Sequence, residues 1–149
     1  MNNLFDLSGK TALVTGASKG IGEMIATGLL QSGVKTYICS RKEDELFDTQ
    51  KKLSEYGQCL AIYADLSTYE GVAALASKIK ESESKLSILI NNAGATWGAA
   101  LEDFPETGWD KVMSLNVKSL FYLTTELLPS MRLAATADDP ARVVNVGSI

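Results

Sequence analysis

The amino-acid sequence predicts an α/β protein built on a doubly wound parallel sheet with strand order 3-2-1-4-5. Three observations carry this prediction. The hydrophobic period switches back and forth between short apolar runs and helix-period stripes along the whole chain. The runs are apolar on both faces, as expected of strands covered from either side. Strict alternation of the two at these lengths means a parallel sheet with helices on both faces, its winding reversing between strands 1 and 4. The 149 residues, 46% hydrophobic and 21% charged, have the composition of one globular domain. A chain of that length buries about 68–70% of the surface it exposes when unfolded.

Each element follows from its residues. Residues 10–15 (KTALVT) form a short apolar run ending in glycine, the first strand. Ile21, Ile25 and Leu29 recur every four residues, and Gly33 stands where a helix C-terminal cap is wanted. Residues 34–39 (VKTYIC) are the second strand, and a charged helix over about 42–56 is closed by Gly57. The third strand is 58–64 (QCLAIYA). Ser67 and Glu70 have the spacing of a capping box, opening a helix whose inner stripe is Val72, Leu75, Ala76 and Ile79. Residues 86–90 (LSILI) form the fourth strand. A long helix is expected from Trp109, burying Val112, Met113, Asn116, Val117, Leu120, Phe121, Leu127 and Leu128, with Pro129 kinking its last turns. Residues 142–146 (RVVNV) are a fifth, interior strand, with the chain stopping three residues later.

Composition removes several function classes. Histidine is absent, which excludes the Ser-His-Asp triad, the Cys-His nucleophile pair and His-ligated zinc. Cys39 and Cys59 are too few for a metal cluster or disulfide framework, and read as reduced, buried thiols. No metal site is expected. A net charge of −4 offers no basic footprint for nucleic acid or anionic membrane. The start, MNNLFDLSGK, lacks a signal-peptide pattern, and no apolar stretch reaches membrane-spanning length. These features predict a soluble cytoplasmic protein.

In doubly wound sheets ligands bind outside the carboxyl ends of the strands, near the reversal. After strand 1, residues 15–22 (TGASKGIG) form a glycine turn that leads straight into a helix, comprising Gly16, Ser18, Lys19, Gly20, Ile21 and Gly22. Gly16 lets the chain leave the strand sharply, and Gly20 lets backbone N–H groups approach a phosphate. Gly22 allows close helix–sheet packing, and the helix N-terminus favours a pyrophosphate. Strand 2 ends in Ser40 and Arg41 rather than in an acid that would bind ribose hydroxyls. Arg41, flanked by Lys19, offers a fork to a 2′-phosphate, so NADP is preferred over NAD. Asp65, before Leu66, either accepts from an adenine amino group or caps the next helix. Asn91 and Asn92, followed by Ala93 and Gly94, tie a loop to neighbouring strands and let backbone lie against a flat ligand. Trp97, just beyond, either approaches a substrate or packs over the sheet edge. Asn116 puts an amide on an inward helix face, where it needs partners: it pins the helix to a neighbour, or it holds a water or distorts the helix at an active site. Ser148, past strand 5, is a turn residue or a donor to a substrate carbonyl.

Together these motifs resemble the short-chain dehydrogenase/reductase family, from about Phe5 to the last residue. Residues 15–22 are similar to the family's T-G-x-x-x-G-I-G cofactor turn, and 91–94 to its N-N-A-G motif. The resemblance implies a Rossmann-type sheet, an adenine contact for Asp65, and membership of the catalytic tetrad for Asn116 and Ser148. Ser40, Arg41 and Lys19 resemble the NADP-preferring subgroup. The wording LSGKTALVTGASKGIG and RVVNVGSI is most similar to bacterial 3-oxoacyl-[acyl-carrier-protein] reductases, including those of rhamnolipid synthesis. That implies NADPH as cofactor, a small carbonyl substrate such as an acyl thioester, and a homo-oligomer at full length.

The family's Tyr-x-x-x-Lys pair is missing. The residues four after Tyr37, Tyr56, Tyr63, Tyr69 and Tyr122 are Arg41, Leu60, Ser67, Ala73 and Glu126. A tyrosine working near neutrality needs its phenolate stabilised by roughly 4 kcal/mol, which the family's lysine helps to supply. The sequence therefore reads as the N-terminal, NADP-binding part of a longer single-domain reductase, truncated after strand 5 and inactive alone. Two other readings stand beside it. One is a non-catalytic NADP-binding module or inactive fragment. The other, a different Rossmann enzyme such as a methyltransferase, is disfavoured by the missing acid after strand 2. An unpaired strand 5 also predicts that the isolated chain is not a well-behaved monomer.

Overall fold

The computed structural model describes residues 6–148; Phe5 and Ile149, which the family resemblance takes in, lie outside them. Five strands, β1 (Thr11–Thr15), β2 (Lys35–Ser40), β3 (Cys59–Tyr63), β4 (Ile88–Asn91) and β5 (Arg142–Asn145), pair in parallel in the order β3-β2-β1-β4-β5. That is the doubly wound order expected, with each strand within two residues of its predicted bounds.

The helices are α1 (Gly20–Gln31), α2 (Glu43–Leu53), α3 (Tyr69–Ser82), α4 (Glu106–Met113) and α5 (Ser119–Ala134). The strands explain the two-layered core by simple alternation. Leu13, Tyr37, Cys39 and Leu89 face α3 and α5, packing with Leu75, Ile79, Leu123 and Leu127. Their neighbours Ala12, Val14, Ile38, Ile88 and Ile90 face the other way, against Ala26 and Leu30 of α1 and Leu46 and Leu53 of α2. Both faces of β1, β2 and β4 are thus dry, which is why their sequences lack an apolar–polar alternation.

Three local expectations are corrected. On α1 the buried line is Gly22, Ala26 and Leu30, while Ile21 lies on the surface and Ile25 and Leu29 only flank the core. Small residues let this helix approach the sheet closely, turning the larger residues to the sides. The Ser67–Glu70 capping box does not form. Thr68 caps α3 by accepting from Gly71 N–H at 3.1 Å, because Ser67 Oγ donates to Asp65 Oδ1 at 2.7 Å.

The long helix starts at Glu106, behind Pro105, and is interrupted by a π turn over Ser114–Lys118, where Ser119 N–H reaches Ser114 O. One extra residue in a turn rotates everything downstream by about 100°. Hence Ser119, Leu123, Leu127 and Met131 are buried, whereas the predicted Val117, Phe121 and Leu128 are exposed. Pro129 lies inside α5, which continues to Ala134. As the expected order requires, β5 is the last strand of the described sheet, with Val143 and Val144 more than 40% exposed. No helix among the described residues is long and apolar enough to cross a membrane.

Candidate functional site: a strand-end cleft

The glycine turn divides into glycines that the packing requires and one that leaves room. A Cβ on Gly22 would meet Gly16 O at 2.5 Å and Asn92 Nδ2 at 2.6 Å, and one on Gly16 would meet Ala93 Cα at 2.8 Å. Gly16 and Gly20 both have positive φ, 63° and 61°, but a Cβ on Gly20 would meet nothing within 4 Å. The space beside Gly20 lies at the start of α1, whose first N–H groups receive no side-chain cap from Lys19. Uncapped donors and a positive dipole end suit an anion. Ser18 is held against α2 through Thr49 Oγ1, which donates to its carbonyl at 2.6 Å. Ile21, in the same turn, is exposed and is not among the residues lining the cleft.

Thr15 joins this turn to the loop after β4, a role its sequence position did not announce. Its buried hydroxyl accepts from the N–H groups of Asn92 (3.0 Å) and Ala93 (2.9 Å), and donates to Ile90 O at 3.4 Å. Asn92 Nδ2 donates in turn to the carbonyls of Thr15 (3.0 Å) and Gly16 (3.1 Å). Asn91 is buried and donates to Asn145 Oδ1 at 2.9 Å and to Thr124 Oγ1 at 3.3 Å, linking β4 to β5 and α5. The two asparagines therefore have the specific partners their sequence setting demanded.

On the other flank, Arg41 and Lys42 follow β2, and Lys19 faces them from the glycine turn. Among the described residues Arg41 is in no ion pair, whereas Lys42 Nζ holds Glu45 Oε1 at 3.0 Å and Lys19 Nζ lies 3.9 Å from Glu45 Oε2. Asp65 Oδ1 accepts from Ser67 N–H and Oγ, which hold its carboxyl below the usual carboxylate range, with Arg41 adding to the effect. It shapes the turn before α3 without being that helix's cap, and still borders the cleft. Burial pushes the Cys39 thiol up to about 12, so this cleft-lining sulfur is neutral and no nucleophile.

Asn116 sits in the π turn and clasps one residue of the β4 loop: its Oδ1 accepts from Ala95 N–H at 2.8 Å and its Nδ2 donates to Ala95 O at 2.9 Å. Both sequence readings of this residue meet here, since it pins the helix to a neighbour at the point where the helix is distorted. Trp97 packs flat on α4, where a Cβ on Gly108 would come within 2.7 Å of its ring, and Lys111 Nζ lies 5.3 Å from the ring centroid. Ser148 follows β5 by three residues and is exposed.

A cleft of about 320 Å³ brings most of these residues together. Gly16, Ser18 and Lys19 form one wall, Arg41 and Lys42 another, and Asp65, Leu66, Asn92, Ala93 and Gly94 the rest. Gly20 and Gly22 support it from the turn, and Asn116 and Ser148 stand outside it. Sequence reasoning missed Lys42, Cys39, Ala64 and Leu115 as lining residues; a cation directly after Arg41 was the one available signal. A second hollow of about 350 Å³, between the start of α3 and the π turn, shares only Leu66 with this set.

A glycine turn feeding a helix, an amide-rich loop locked to it and a cationic strand end form a cleft at the topological reversal, where doubly wound sheets bind their ligands. The chain belongs to the short-chain dehydrogenase family, whose model matches residues 10–149. Among curated proteins it is 52% identical over its whole length to the rhamnolipids biosynthesis 3-oxoacyl-[acyl-carrier-protein] reductase of Pseudomonas aeruginosa, spanning 58% of that protein. Among solved structures it matches the Pseudomonas aeruginosa RhlG/NADP active-site complex, at 52% identity and TM-score 0.95, over 99% of this chain and 58% of that one. L-sorbose reductase from Gluconobacter frateurii, complexed with NADPH and L-sorbose, matches at 31% identity and TM-score 0.83, over 87% of this chain and 50% of that one.

Proposed function

We propose that these residues are the cofactor-binding part of an NADP-dependent carbonyl reductase, with 3-oxoacyl thioesters as the substrate class. The observation that carries this is the cleft itself: the glycine turn at Gly16, Ser18 and Lys19, the cations after β2 and the locked loop at 92–94 share one cavity. They fit an elongated ligand with a pyrophosphate near its middle and a further phosphate at one end. The uncapped start of α1 receives the pyrophosphate, and Arg41 with Lys19 and Lys42 receives the 2′-phosphate. Asp65 accepts from the adenine amino group beside Leu66, and the backbone of 92–94 lies along the ligand. The bound nicotinamide supplies a hydride for the carbonyl.

Ser148 donates a hydrogen bond to the substrate oxygen, and Asn116, its amide given to Ala95, holds the loop and helix in register for a proton-relay water. The NADP complexes of related structures and the 52% identity to a 3-oxoacyl reductase support this reading. Within these 149 residues no tyrosine has a lysine four positions on, so hydride transfer is not expected of them alone. That same fact favours, as a second reading, an NADP-binding module without catalysis. Fluorescence titration with NADPH and NADH is the test, together with NADPH oxidation in the presence of a 3-oxoacyl thioester. NADPH should bind about tenfold or more tightly than NADH, the worth of one charge-assisted contact. Equal affinities would remove the 2′-phosphate assignment, and turnover by these residues alone would remove the need for a Tyr/Lys pair.

A further inference from the structure

Glu45 lies in the first turn of α2, three residues after Lys42, and one carboxylate there spans two lysines from different segments. Its Oε1 is hydrogen-bonded by Lys42 at 3.0 Å. Its Oε2 is buried, receives no hydrogen bond and faces Lys19 Nζ at 3.9 Å, outside hydrogen-bonding reach. Both lysines border the cleft together with Arg41, which is in no ion pair among the described residues and adds to the lowering of the Asp65 carboxyl. The cationic end of the cleft thus presents one guanidinium, while its two ammonium groups lean toward the same acid.

We propose that Glu45 sets the strength and selectivity with which the cleft holds a 2′-phosphate, by competing with that phosphate for Lys19 and Lys42. This rests on the reading of the cleft as an NADP site. A phosphate beside Arg41 offers Lys19 the direct hydrogen bond that Glu45 does not make, and the exposed lysine stem can swing to take it. The carboxylate opposes the ligand by repelling it and by keeping the lysines back. Nucleotides without a 2′-phosphate meet neither effect. Glu43 and Asp44 share the same helical turn and charge, but neither holds a lysine among the described residues. They separate competition from general charge.

Isothermal titration of the intact protein with 2′,5′-ADP and with 5′-AMP, at low ionic strength, tests this. Glu45→Gln should tighten 2′,5′-ADP about three- to tenfold, the range of a partly screened charge contact, and leave 5′-AMP unchanged. Glu43→Gln should change 2′,5′-ADP by less than about twofold, and in a Lys19→Gln/Lys42→Gln background the Glu45→Gln gain should fall below about twofold. Absence of tightening, equal tightening by Glu43→Gln, or an undiminished gain without the two lysines would overturn the competition. If the unmodified protein does not prefer 2′,5′-ADP over 5′-AMP, the NADP reading falls and takes this inference with it. A preference that Glu45→Gln fails to strengthen removes this inference alone.

Discussion

The carboxyl edge of the sheet has two halves that are built differently. Along β1 and β2 nearly every residue is buried, and the turns that leave them are fixed by backbone contacts at Gly16, Gly22 and Thr15. Along β5 every residue is exposed, and that half is tied in through the Asn91–Asn145 contact, the Val146–Asn91 backbone bond and the Asn116 clasp on Ala95. The proposed nucleotide-binding residues fall on the first half and the proposed reacting residues on the second. The first half is thus enclosed on both faces, whereas the second is held by the β4–β5 ladder and these polar links.

The largest test of that contrast separates two glycines. Gly22→Ala should destabilise the fold by about 3 kcal/mol or more, because its methyl would press on the carbonyl of Gly16 and on Asn92, neither free to retreat. Gly20→Ala meets open space, so a urea melt should show about 1–2 kcal/mol of left-handed backbone strain and nothing beyond it. Its loss should appear in nucleotide affinity instead. Similar melts for the two variants would break the distinction between packing and ligand glycines.

Arg41→Ala comes next. It should cost about 1.5–3 kcal/mol of NADPH affinity with little change for NADH and none in thermal stability, since Arg41 forms no ion pair among the described residues. Equal losses for both cofactors would move the 2′-phosphate elsewhere. On the other half, Asn116→Leu removes two hydrogen bonds from Ala95 and should cost about 1–2 kcal/mol of stability. Hydrogen exchange should show the loop after β4 loosening while the β1–α1 turn stays protected. Joint loosening would mean that the halves are not independent.

The smallest effect is a pH dependence at Asp65. Donation from Ser67 lowers its carboxyl below the reference value of 3.8, so its contribution is fully present above that value and disappears as pH falls through the lower folded value. Melts of the unmodified protein and Asp65→Asn should differ at neutral pH and converge in acid, as pH falls below 3.8 and through the lower folded value. A difference that grows toward acid would reverse the assigned sign.

Much of the frame was legible because it depends on composition along short runs. Strands buried on both faces appear as unbroken apolar runs, and their alternation with helices implies the 3-2-1-4-5 order. The strand-end residues were legible because a glycine, an amide or a cation directly after a buried strand stands out against its apolar surroundings. What local pattern did not show depends on distant partners. Asn116 on the inward face pointed to a distortion but not to its form; the π turn stands where Asn116 meets Ala95, a contact across 21 positions. The rotated face of α5 follows from that turn. The buried line of α1 was hidden because Gly22 and Ala26 carry little hydrophobicity, and their smallness is what brings the helix close.

The hydroxyl of Thr15 has a consequence for how the molecule reaches its native state. Its bonds to Asn92 and Ala93 close a chain separation of 77 and 78 residues, and β1 pairs with β4 only across the intervening α1, β2, α2, β3 and α3. Contacts that distant raise the mean sequence separation of the fold, which slows folding. The contacts that tie the glycine turn to residues 92 and 93 require β4 to be paired with β1. A nucleotide that binds the turn in this form stabilises only states in which that pairing is made.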